Sequence, residues 1–530
     1  MILILLVAAT LRIRGIGFGL PALYDPDEPL FMMTAIEMLR NHSLNPGWFG
    51  HPGTITLYGL ALVDLAVGGI GIATGRYSDA SAFVGAVYAD PGILFLPARF
   101  LIAACGIICV GLTWRLGRRI GGATTGWLAA VFLAVNAVHI EYSQLIRTDI
   151  QAGVFTLLCL SKSISIAETG RWRDYVLAGL FAGLGCATKW PVAVIAVSPI
   201  VVGIWRIGQG HPETRKLVTF ALATAATLIL VSPFLLLDYP VVLHNLAGEA
   251  RSAHPGATGR GFLLNLLWYV KNPLLGSLGV IGLCLAAIGA VLFVRRNPFA
   301  AIALLPGVAA LGALICLQAL RWERWLVPLL PFMAIMTGYA IHVLANWLRS
   351  RMQRRLRLVE PVAALVLLLP MLHATQLRAA ARANDTRQIA STWIRANAPS
   401  DATILVEHAA IDLVSGPWKL LFPLGRSGCV DARAMLTRRL RYTEVERLRS
   451  DKPIIDVASV NYSRLDTCRA RFMVLTHLDR YREERRTFSA EWQHYQQLVR
   501  GSVLRAVIAP QEGRRGGPTV YIFERMSGAE

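Results

Sequence analysis

Long apolar segments separated by short polar ones fill the first 375 residues of the chain, and the later residues have the mixed pattern of a soluble protein. A bilayer core requires about 20 apolar residues for each helix that crosses it. Lipid offers no partner to free backbone N–H and C=O groups, so these segments are expected to be helices. The pattern predicts a mainly α polytopic membrane helical bundle (1–375) followed by a small α/β soluble domain (376–530).

The length that a bilayer requires predicts about eleven spans, at residues 2–20, 96–114, 124–141, 150–167, 175–189, 191–205, 217–237, 274–294, 299–319, 325–346 and 359–375. A further apolar stretch, 54–74, contains Asp64 and several glycines. Counting it as a crossing would place basic clusters on the outer side of the membrane. We therefore expect it to lie in the outer interface, within juxtamembrane helices at about 28–75.

In the soluble domain, apolar β-branched runs predict strands and amphipathic spacing predicts helices. The predicted strands are 403–406, 454–457, 472–475, 503–508 and 520–523, and the predicted helices are 385–398, 433–449 and 477–499. The domain shows no phosphate-binding glycine loop, so we interpret it as a folded cap over the membrane part.

Composition agrees with this division, since 55% of the 530 residues are hydrophobic and 16% are charged, against about a quarter charged in soluble proteins. The net charge of +20 does not indicate nucleic acid binding, because no basic-aromatic groove pattern is present. Basic clusters between spans are typical of cytoplasmic loops and place the N-terminus inside and the soluble domain outside. They are Arg115, Arg118 and Arg119; Arg171 and Arg173; Arg206, Arg215 and Lys216; Arg295 and Arg296; and Arg349, Arg351, Arg354, Arg355 and Arg357.

The cysteines add little about function. Six lie in apolar segments, where a small buried hydrophobe is the preferred interpretation, and no CxxC metal spacing occurs. Cys429 and Cys468 lie in the soluble domain. Export of that domain would allow these two to pair, although sequence alone does not establish a bridge.

The strongest candidate for chemistry is the acidic loop Tyr24-Asp25-Pro26-Asp27-Glu28-Pro29, which follows the first span. Its three carboxylates can bind a cation or abstract a proton. Pro29 suits the first turn of a helix over 30–40, whose dipole would keep Glu28 ionised. The alternative is a solvated acidic loop.

Further polar residues are expected on the same side as this loop. Tyr142, Arg147 and Asp149 cluster where one span ends and the next begins, and Lys189, Arg321 and Arg324 lie beside tryptophans at the ends of other spans. Arginine and lysine with neighbouring aromatics suit phosphate recognition at a membrane surface. The alternatives are helix capping by the aspartate and snorkelling by the cations.

The order of these motifs resembles the membrane glycosyltransferases with the C-type fold, specifically the protein O-mannosyltransferase and aminoarabinose transferase-like superfamily. The similar segments run through most of the chain: Asp25-Pro26-Asp27-Glu28, His51-Pro52-Gly53-Thr54, Tyr142 to Asp149, Ala187-Thr188-Lys189, Arg324 to Pro331, and Asp385-Thr386-Arg387 with Trp393-Ile394. In relatives the first loop often reads His-Pro-Asp-Glu, and Asp25 stands here in place of that histidine.

The resemblance implies transfer of a sugar from a polyprenyl-phosphate-linked donor to a glycan, lipid or protein acceptor on the outer face of the cytoplasmic membrane. Asp27 would act as general base, and Glu28 and Asp149 would orient groups or hold a divalent metal cation together with Asp27. The residues implied to bind substrate are Lys189, Arg321, Arg324, His51 and Tyr142.

Two other classes of protein remain as alternatives. A polytopic transporter or lipid flippase would show internal repeats and ionisable groups near mid-membrane, whereas the key charges here lie at span ends. A non-catalytic membrane scaffold would leave the acidic pair unexplained. We expect a transferase to bring Asp27, Asp149, Lys189 and Arg324 around one cavity, and wide scatter would count against it.

Overall fold

The computed structural model describes residues 1–51, 53–351, 358–407, 411–437, 442–449 and 454–526. Pro52, the arginines at 354, 355 and 357, and the middle of the helix predicted over 433–449 lie outside these ranges.

Helices form most of the first 383 residues. In chain order they are α1 (Ile2–Ile13), α2 (Asp27–Arg40), α3 (Thr54–Ala73), α4 (Ala80–Ala89), α5 (Gly92–Ala134), α6 (Ala137–Ser143), α7 (Asp149–Thr169), α8 (Trp172–Thr188), α9 (Val197–Gly208), α10 (Thr214–Val231), α11 (Phe234–Leu237), α12 (Tyr239–Glu249), α13 (Phe262–Tyr269), α14 (Leu275–Arg296), α15 (Pro298–Leu317), α16 (Leu330–Arg351) and α17 (Val359–Ala383). Within the described ranges, nine helical segments are long and apolar enough to cross a membrane. The polytopic helical bundle is confirmed, and the exact number of crossings stays a prediction.

Helix α5 is a hairpin rather than a single rod, and it contains most of two predicted spans. The chain reverses at Gly122, whose φ of 81° lies in the left-handed region that favours glycine. The two arms then approach closely, since a Cβ added at Gly126 would lie 2.7 Å from the Trp114 carbonyl oxygen. Small residues on facing helices permit this backbone contact.

The connections that were predicted to share one side do meet at one end of the bundle, which we call the polar-loop end. The first loop contacts the turn before α7 through Arg147 and Asp25. The indole N–H of Trp190 donates a hydrogen bond to the backbone carbonyl oxygen of Phe49. At the opposite end, the basic cluster around Arg206 pairs with Glu213. The acidic first loop and this basic cluster therefore lie at different ends of the bundle, which agrees with the predicted charge topology.

Helix α3 is apolar enough to cross a membrane by length and composition, whereas the sequence places it in the interface. Its N-terminal end lies at the polar-loop end, where Thr54 accepts a hydrogen bond from Ser232. Near its other end, Gly68 packs against Phe83 of α4, which leads directly into α5. Arg99 of α5 returns to Glu28 at the polar-loop end. These contacts favour the interfacial placement, which stays a prediction.

The last part of the chain forms an α/β domain around one six-stranded sheet of order β3-β2-β1-β4-β6-β5. Its strands are β1 (Thr403–Val406), β2 (Lys419–Pro423), β3 (Cys429–Asp431), β4 (Phe472–Leu475), β5 (Ser502–Ile508) and β6 (Val520–Arg525). Its helices are α18 (Thr386–Asn397), α19 (Ala432–Thr437), α20 (Tyr442–Arg449), α21 (Leu478–Glu483) and α22 (Ser489–Val499). Strand β1 pairs in parallel with β2 and β4, and the other pairings are antiparallel. Alternate residues of β1 face two cores, since Leu405 packs in one and Ile404 in the other.

Four predicted strands are confirmed, and the one predicted over 454–457 is wrong. Asp456 in that segment caps a turn of 3₁₀-helix by accepting a hydrogen bond from the Ser459 backbone N–H, so the apolar residues beside it turn instead of extending. Strands β2 and β3 were missed. The helix predicted over 477–499 is two helices, because the chain leaves the helix after Glu483 and resumes it at Ser489.

Cys429 at the start of β3 is joined to Cys468 by a disulfide that closes a sequence separation of 39 residues. Closing a loop of that length stabilises a folded domain by about 4 kcal/mol in the chain-entropy model.

We expect the Cys429→Ser/Cys468→Ser double variant to lose about 4 kcal/mol of unfolding free energy, measured by chemical denaturation in detergent. The matched control is Cys284→Ser, which removes an exposed free thiol. Equal stability of the double variant and this control would contradict the assignment.

Candidate functional site

The acidic loop enters α2 through a defined turn. Pro26 is the residue before the helix. Asp27 and Glu28 occupy its first turn, where the helix dipole favours negative charge. The carboxylate of Asp25 accepts a hydrogen bond from the Asp27 backbone N–H at 2.9 Å. The three carboxylates therefore have fixed and different directions.

Arg147, in the turn between α6 and α7, holds the first two of these carboxylates. Its Nε and Nη2 donate to the two oxygens of Asp25 at 2.8 Å each. Its Nη1 donates to Asp27. Such a two-pronged guanidinium contact fixes orientation as well as charge.

Two further cations complete the arrangement. Lys189, at the end of α8, donates to Asp149, the first residue of α7. Arg324, before α16, lies 3.4 Å from Asp27 and stacks on the ring of Trp322 at 4.7 Å. We call the six residues the ion cluster: Asp25, Asp27, Arg147, Asp149, Lys189 and Arg324. It brings together the four residues whose convergence the sequence predicts for a transferase.

Solvent access separates the members of the ion cluster. The side chain of Asp27 is 26% exposed, against 11% for Asp25 and 3% for Asp149. Among the cations, Arg324 is the most exposed at 13% and has the longest charged contact. Asp27 is thus the most exposed carboxylate of the ion cluster, and Arg324 is its most exposed cation.

Burial and neighbouring charges together decide the protonation states of Asp27 and His51. Burial alone would raise the pKa of Asp27, but the neighbouring charges of Arg147 and Arg324 hold it well below its usual value. Burial, with the charges of Lys189 and Arg324, lowers the pKa of His51 to about 3. At neutral pH Asp27 is ionised and His51 is neutral.

Glu28 points away from the ion cluster. Both of its oxygens contact Arg99 of α5, at 2.8 and 2.6 Å, and neither side chain is exposed. One oxygen also accepts the Ile146 backbone N–H at 3.0 Å. With its oxygens engaged in this way, Glu28 ties α2 to α5 and to the turn that carries Arg147. These contacts favour a positioning role over the catalytic role that the resemblance implies.

Arg321 also departs from its predicted place. Its guanidinium stacks on Trp268 at 5.2 Å and lies in a separate cavity with Arg260. Tyr142 does lie near the ion cluster, since the charges of Arg147 and Arg324 act on its hydroxyl. Its neighbours Glu141 and Glu323 share the guanidinium of Arg378 at 2.8 Å each.

Sequence reasoning missed the importance of Arg99 and did not include Arg147 among the site residues. One signal was available, because an arginine within an apolar span requires a partner and is a functional hypothesis by default. The sequence could not predict that Arg99 pairs with Glu28, since the two are 71 positions apart.

Each carboxylate named for a divalent metal faces a basic side chain instead of the other carboxylates. Glu28 faces Arg99, Asp149 faces Lys189 and Asp27 faces two arginines. In the part of the chain that the structure describes, no group of three or more histidine, cysteine, aspartate or glutamate side chains is placed to hold a metal ion. The residues present therefore do not fit the predicted metal set.

Comparison with known sequences gives one family. The model of the family described as dolichyl-phosphate-mannose-protein mannosyltransferase matches residues 92–237, which include Arg99, Arg147, Asp149 and Lys189. No curated protein sequence matches the chain.

Comparison with solved structures covers nearly the whole chain. ArnT from Cupriavidus metallidurans matches in its apo state, with a TM-score of 0.55, 13% identity and coverage of 98% of this chain and 97% of that chain. Its structure bound to undecaprenyl phosphate matches with a TM-score of 0.54, 13% identity and coverage of 99% and 98%. These matches show a shared fold.

The oligosaccharyltransferase of Archaeoglobus fulgidus is the second similar protein. Its structure tethered with an acceptor peptide has a TM-score of 0.54, 13% identity and coverage of 98% of this chain and 73% of that chain. Its complex with Zn and sulfate has a TM-score of 0.52, 13% identity and coverage of 98% and 72%. The predicted C-type glycosyltransferase fold is confirmed, and the comparisons give the transporter alternative no support.

We expect Glu28→Gln to lower the free energy of unfolding by about 3–5 kcal/mol, because it leaves the buried Arg99 without a counter-charge. Thermal unfolding in detergent measures the loss. The control is Glu37→Gln on the same helix, where a partly exposed side chain accepts one hydrogen bond from Asn41. Unfolding of Glu28→Gln at the wild-type temperature would show that the pair does not hold α2 in place.

Proposed function

We propose that this protein is a glycosyltransferase that moves a sugar from a polyprenyl-phosphate-linked donor to an acceptor hydroxyl. The observation that carries the proposal is the ion cluster, in which an ionised Asp27 that is 26% exposed lies 3.4 Å from Arg324, which is 13% exposed. A base and a phosphate-binding cation side by side are what displacement at a sugar phosphate requires.

Asp27 takes the role of general base. The acceptor hydroxyl gives its proton to the Asp27 carboxylate while its oxygen bonds to the anomeric carbon of the donor sugar. The bond from that carbon to the phosphate oxygen breaks, and the polyprenyl phosphate leaves with the electron pair. Such a single displacement inverts the configuration of the sugar. The low exposure of Asp25 and Asp149 supports Asp27 as the carboxylate that an acceptor reaches.

Arg324 takes the role of binding the leaving phosphate. Its stacking on Trp322 leaves the guanidinium edge free for hydrogen bonds to phosphate oxygens. Lys189 supplies a second positive charge to the ion cluster, and its ammonium group also pairs with Asp149. His51 and Tyr142 line this region as substrate contacts, and Glu28 positions α2.

Donor binding would also activate the base. Two guanidinium groups, those of Arg147 and Arg324, hold the pKa of Asp27 low, which makes it a weak base. A donor phosphate on Arg324 engages one of these counter-charges, so the proton affinity of Asp27 rises when the substrate is present. The acceptor is then deprotonated only in the complete complex.

The reaction takes place on the outer face of the cytoplasmic membrane, with the domain after residue 375 on that side. Two observations support this placement: the segregation of basic clusters at the opposite end of the bundle, and the Cys429–Cys468 disulfide, which suits an oxidising compartment. The partners are the lipid bilayer, the lipid-linked donor and a glycan, lipid or protein acceptor. The proposal assigns no step to a divalent cation.

We expect Asp27→Asn to lower transfer from a labelled polyprenyl-phosphate sugar by about 10²- to 10⁴-fold, the usual contribution of a general base. The control Asp79→Asn removes an exposed acid at the start of α4 and should transfer at the wild-type rate. An Asp27→Asn protein that inserts normally and transfers at the wild-type rate would refute the role.

We expect Arg324→Gln to lower kcat/KM for the donor by about 10²- to 10³-fold, as loss of a charge-stabilising donor does. Arg324→Lys should recover part of the loss, because it restores the charge but not the planar fork. Arg76→Gln, at an exposed arginine beyond α3, serves as the control. A loss shared equally by Arg76→Gln would point to general surface charge.

We expect the pH profile of kcat/KM to show no inflection between pH 5 and 8 from Asp27 or His51. The lowered pKa of Asp27 keeps it ionised above about pH 4, and the pKa of His51 at about 3 keeps the ring neutral. An inflection near the usual histidine pKa that His51→Gln abolishes would contradict the assignment.

A further inference from the structure

A second charged site lies between the C-terminal domain and the connection that precedes α13. It is an open cavity of about 780 Å³. Five arginines line it: Arg260, Arg321, Arg482, Arg485 and Arg486. We call it the arginine cavity.

The two walls of the arginine cavity are fastened to each other by Glu484. Its carboxylate accepts the Gly256 backbone N–H at 2.9 Å and the Thr258 hydroxyl at 2.7 Å. Glu484 is therefore used as a clamp between the soluble domain and the membrane part.

Four of the five arginines form no close ion pair with a carboxylate of the described residues. Arg482 pairs with Asp479 at 2.5 Å, whereas, across the described ranges, no carboxylate lies within 4.0 Å of the other four guanidinium groups. The Nε of Arg321 is buried without a hydrogen-bond partner. Burial, together with the charge of Arg260, lowers the pKa of Arg321. Glu483 and Glu484 also line the cavity, and the charge of Glu484 acts on Arg321. The five arginines outnumber these two acids, and several converging guanidinium groups are the usual recognition set for phosphate.

The cavity opens beside an apolar surface. Helix α13 begins two residues after Arg260, and its side chains Phe262, Leu263 and Leu264 are 40%, 70% and 49% exposed. The helical segment that starts at Phe262 is apolar enough to cross a membrane. Positive charge and lipid-facing side chains therefore meet at one edge, as a ligand with an anionic head and an apolar tail requires.

The arginine cavity is distinct from the donor phosphate site. Arg321 and Arg324 belong to one short segment, yet Arg321 stacks on Trp268 and Arg324 stacks on Trp322. His254 packs edge-on against Trp322, with ring centroids 4.9 Å apart.

We infer that the arginine cavity binds the phosphate-bearing headgroup of a membrane lipid, at a site separate from the ion cluster. The four unpaired guanidinium groups bind the phosphate oxygens, and the apolar tail lies along α13. This assignment does not depend on the proposed transfer reaction.

The test is binding of phosphatidic acid in neutral-detergent micelles to the full-length purified protein, measured by microscale thermophoresis. Phosphatidylcholine serves as the zwitterionic lipid, and inorganic pyrophosphate as the phosphate without a tail. The test variant is Arg485→Gln/Arg486→Gln. The matched control is Arg500→Gln/Arg514→Gln, which removes two exposed arginines of the same domain that do not line the cavity.

We expect the test variant to bind phosphatidic acid at least tenfold more weakly than wild type, and the matched control to stay within twofold. Pyrophosphate should bind at least tenfold more weakly than phosphatidic acid, and Arg324→Gln, which removes the phosphate-binding cation of the ion cluster, should bind phosphatidic acid within twofold of wild type. Equal binding by the test variant and the control overturns the site. Pyrophosphate binding as tight as that of the lipid overturns the lipid assignment, and a loss in Arg324→Gln equal to that of the test variant overturns the separation from the ion cluster.

Discussion

The architecture of the polar-loop end depends on the cost of leaving a charge unpaired where water is scarce. A buried ion that loses its partner destabilises a protein by several kcal/mol, of order 3–5, and two buried acids here have a base from another element. Glu28 of α2 forms an ion pair with Arg99 of α5, and Asp149 of α7 forms one with Lys189, which follows α8. These pairs set the distances between helices that apolar contacts alone, which lack direction, would leave adjustable.

In the proposed mechanism, exposure sets Asp27 apart from the other carboxylates of the ion cluster. Asp27 shares Arg147 with its less exposed neighbour Asp25, and its second partner, Arg324, lies at 3.4 Å and is 13% exposed. We propose that substrate groups replace this contact with Arg324, which is the longest in the ion cluster. The more deeply buried pairs would keep the backbone in place during that exchange. A non-catalytic scaffold would have no need for this difference in exposure.

The sequence could predict the features that depend on local hydrophobic pattern and on the side of the membrane where a connection lies. Apolar segment length predicted the helical bundle, and the order of motifs predicted that Asp27, Asp149, Lys189 and Arg324 would meet. It could not predict which carboxylate of Asp27-Glu28 joins the ion cluster, because adjacent residues on a helix point about 100° apart and tertiary packing decides between them. In the soluble domain, the short strand β2 carries no alternation, since three of its five residues are buried and one more is half-buried. Such an apolar run does not reveal its conformation by periodicity.

The most direct test of the donor site is a structure of the protein with a phosphonate analogue of a polyprenyl-phosphate sugar, in which the scissile oxygen is replaced by carbon. We expect phosphonate oxygens within hydrogen-bond distance of Arg324, the anomeric carbon facing Asp27, and a longer contact between Arg324 and Asp27 than the present 3.4 Å. A phosphonate bound in the arginine cavity, with the ion cluster unchanged, would show that the donor does not bind at Asp27 and Arg324.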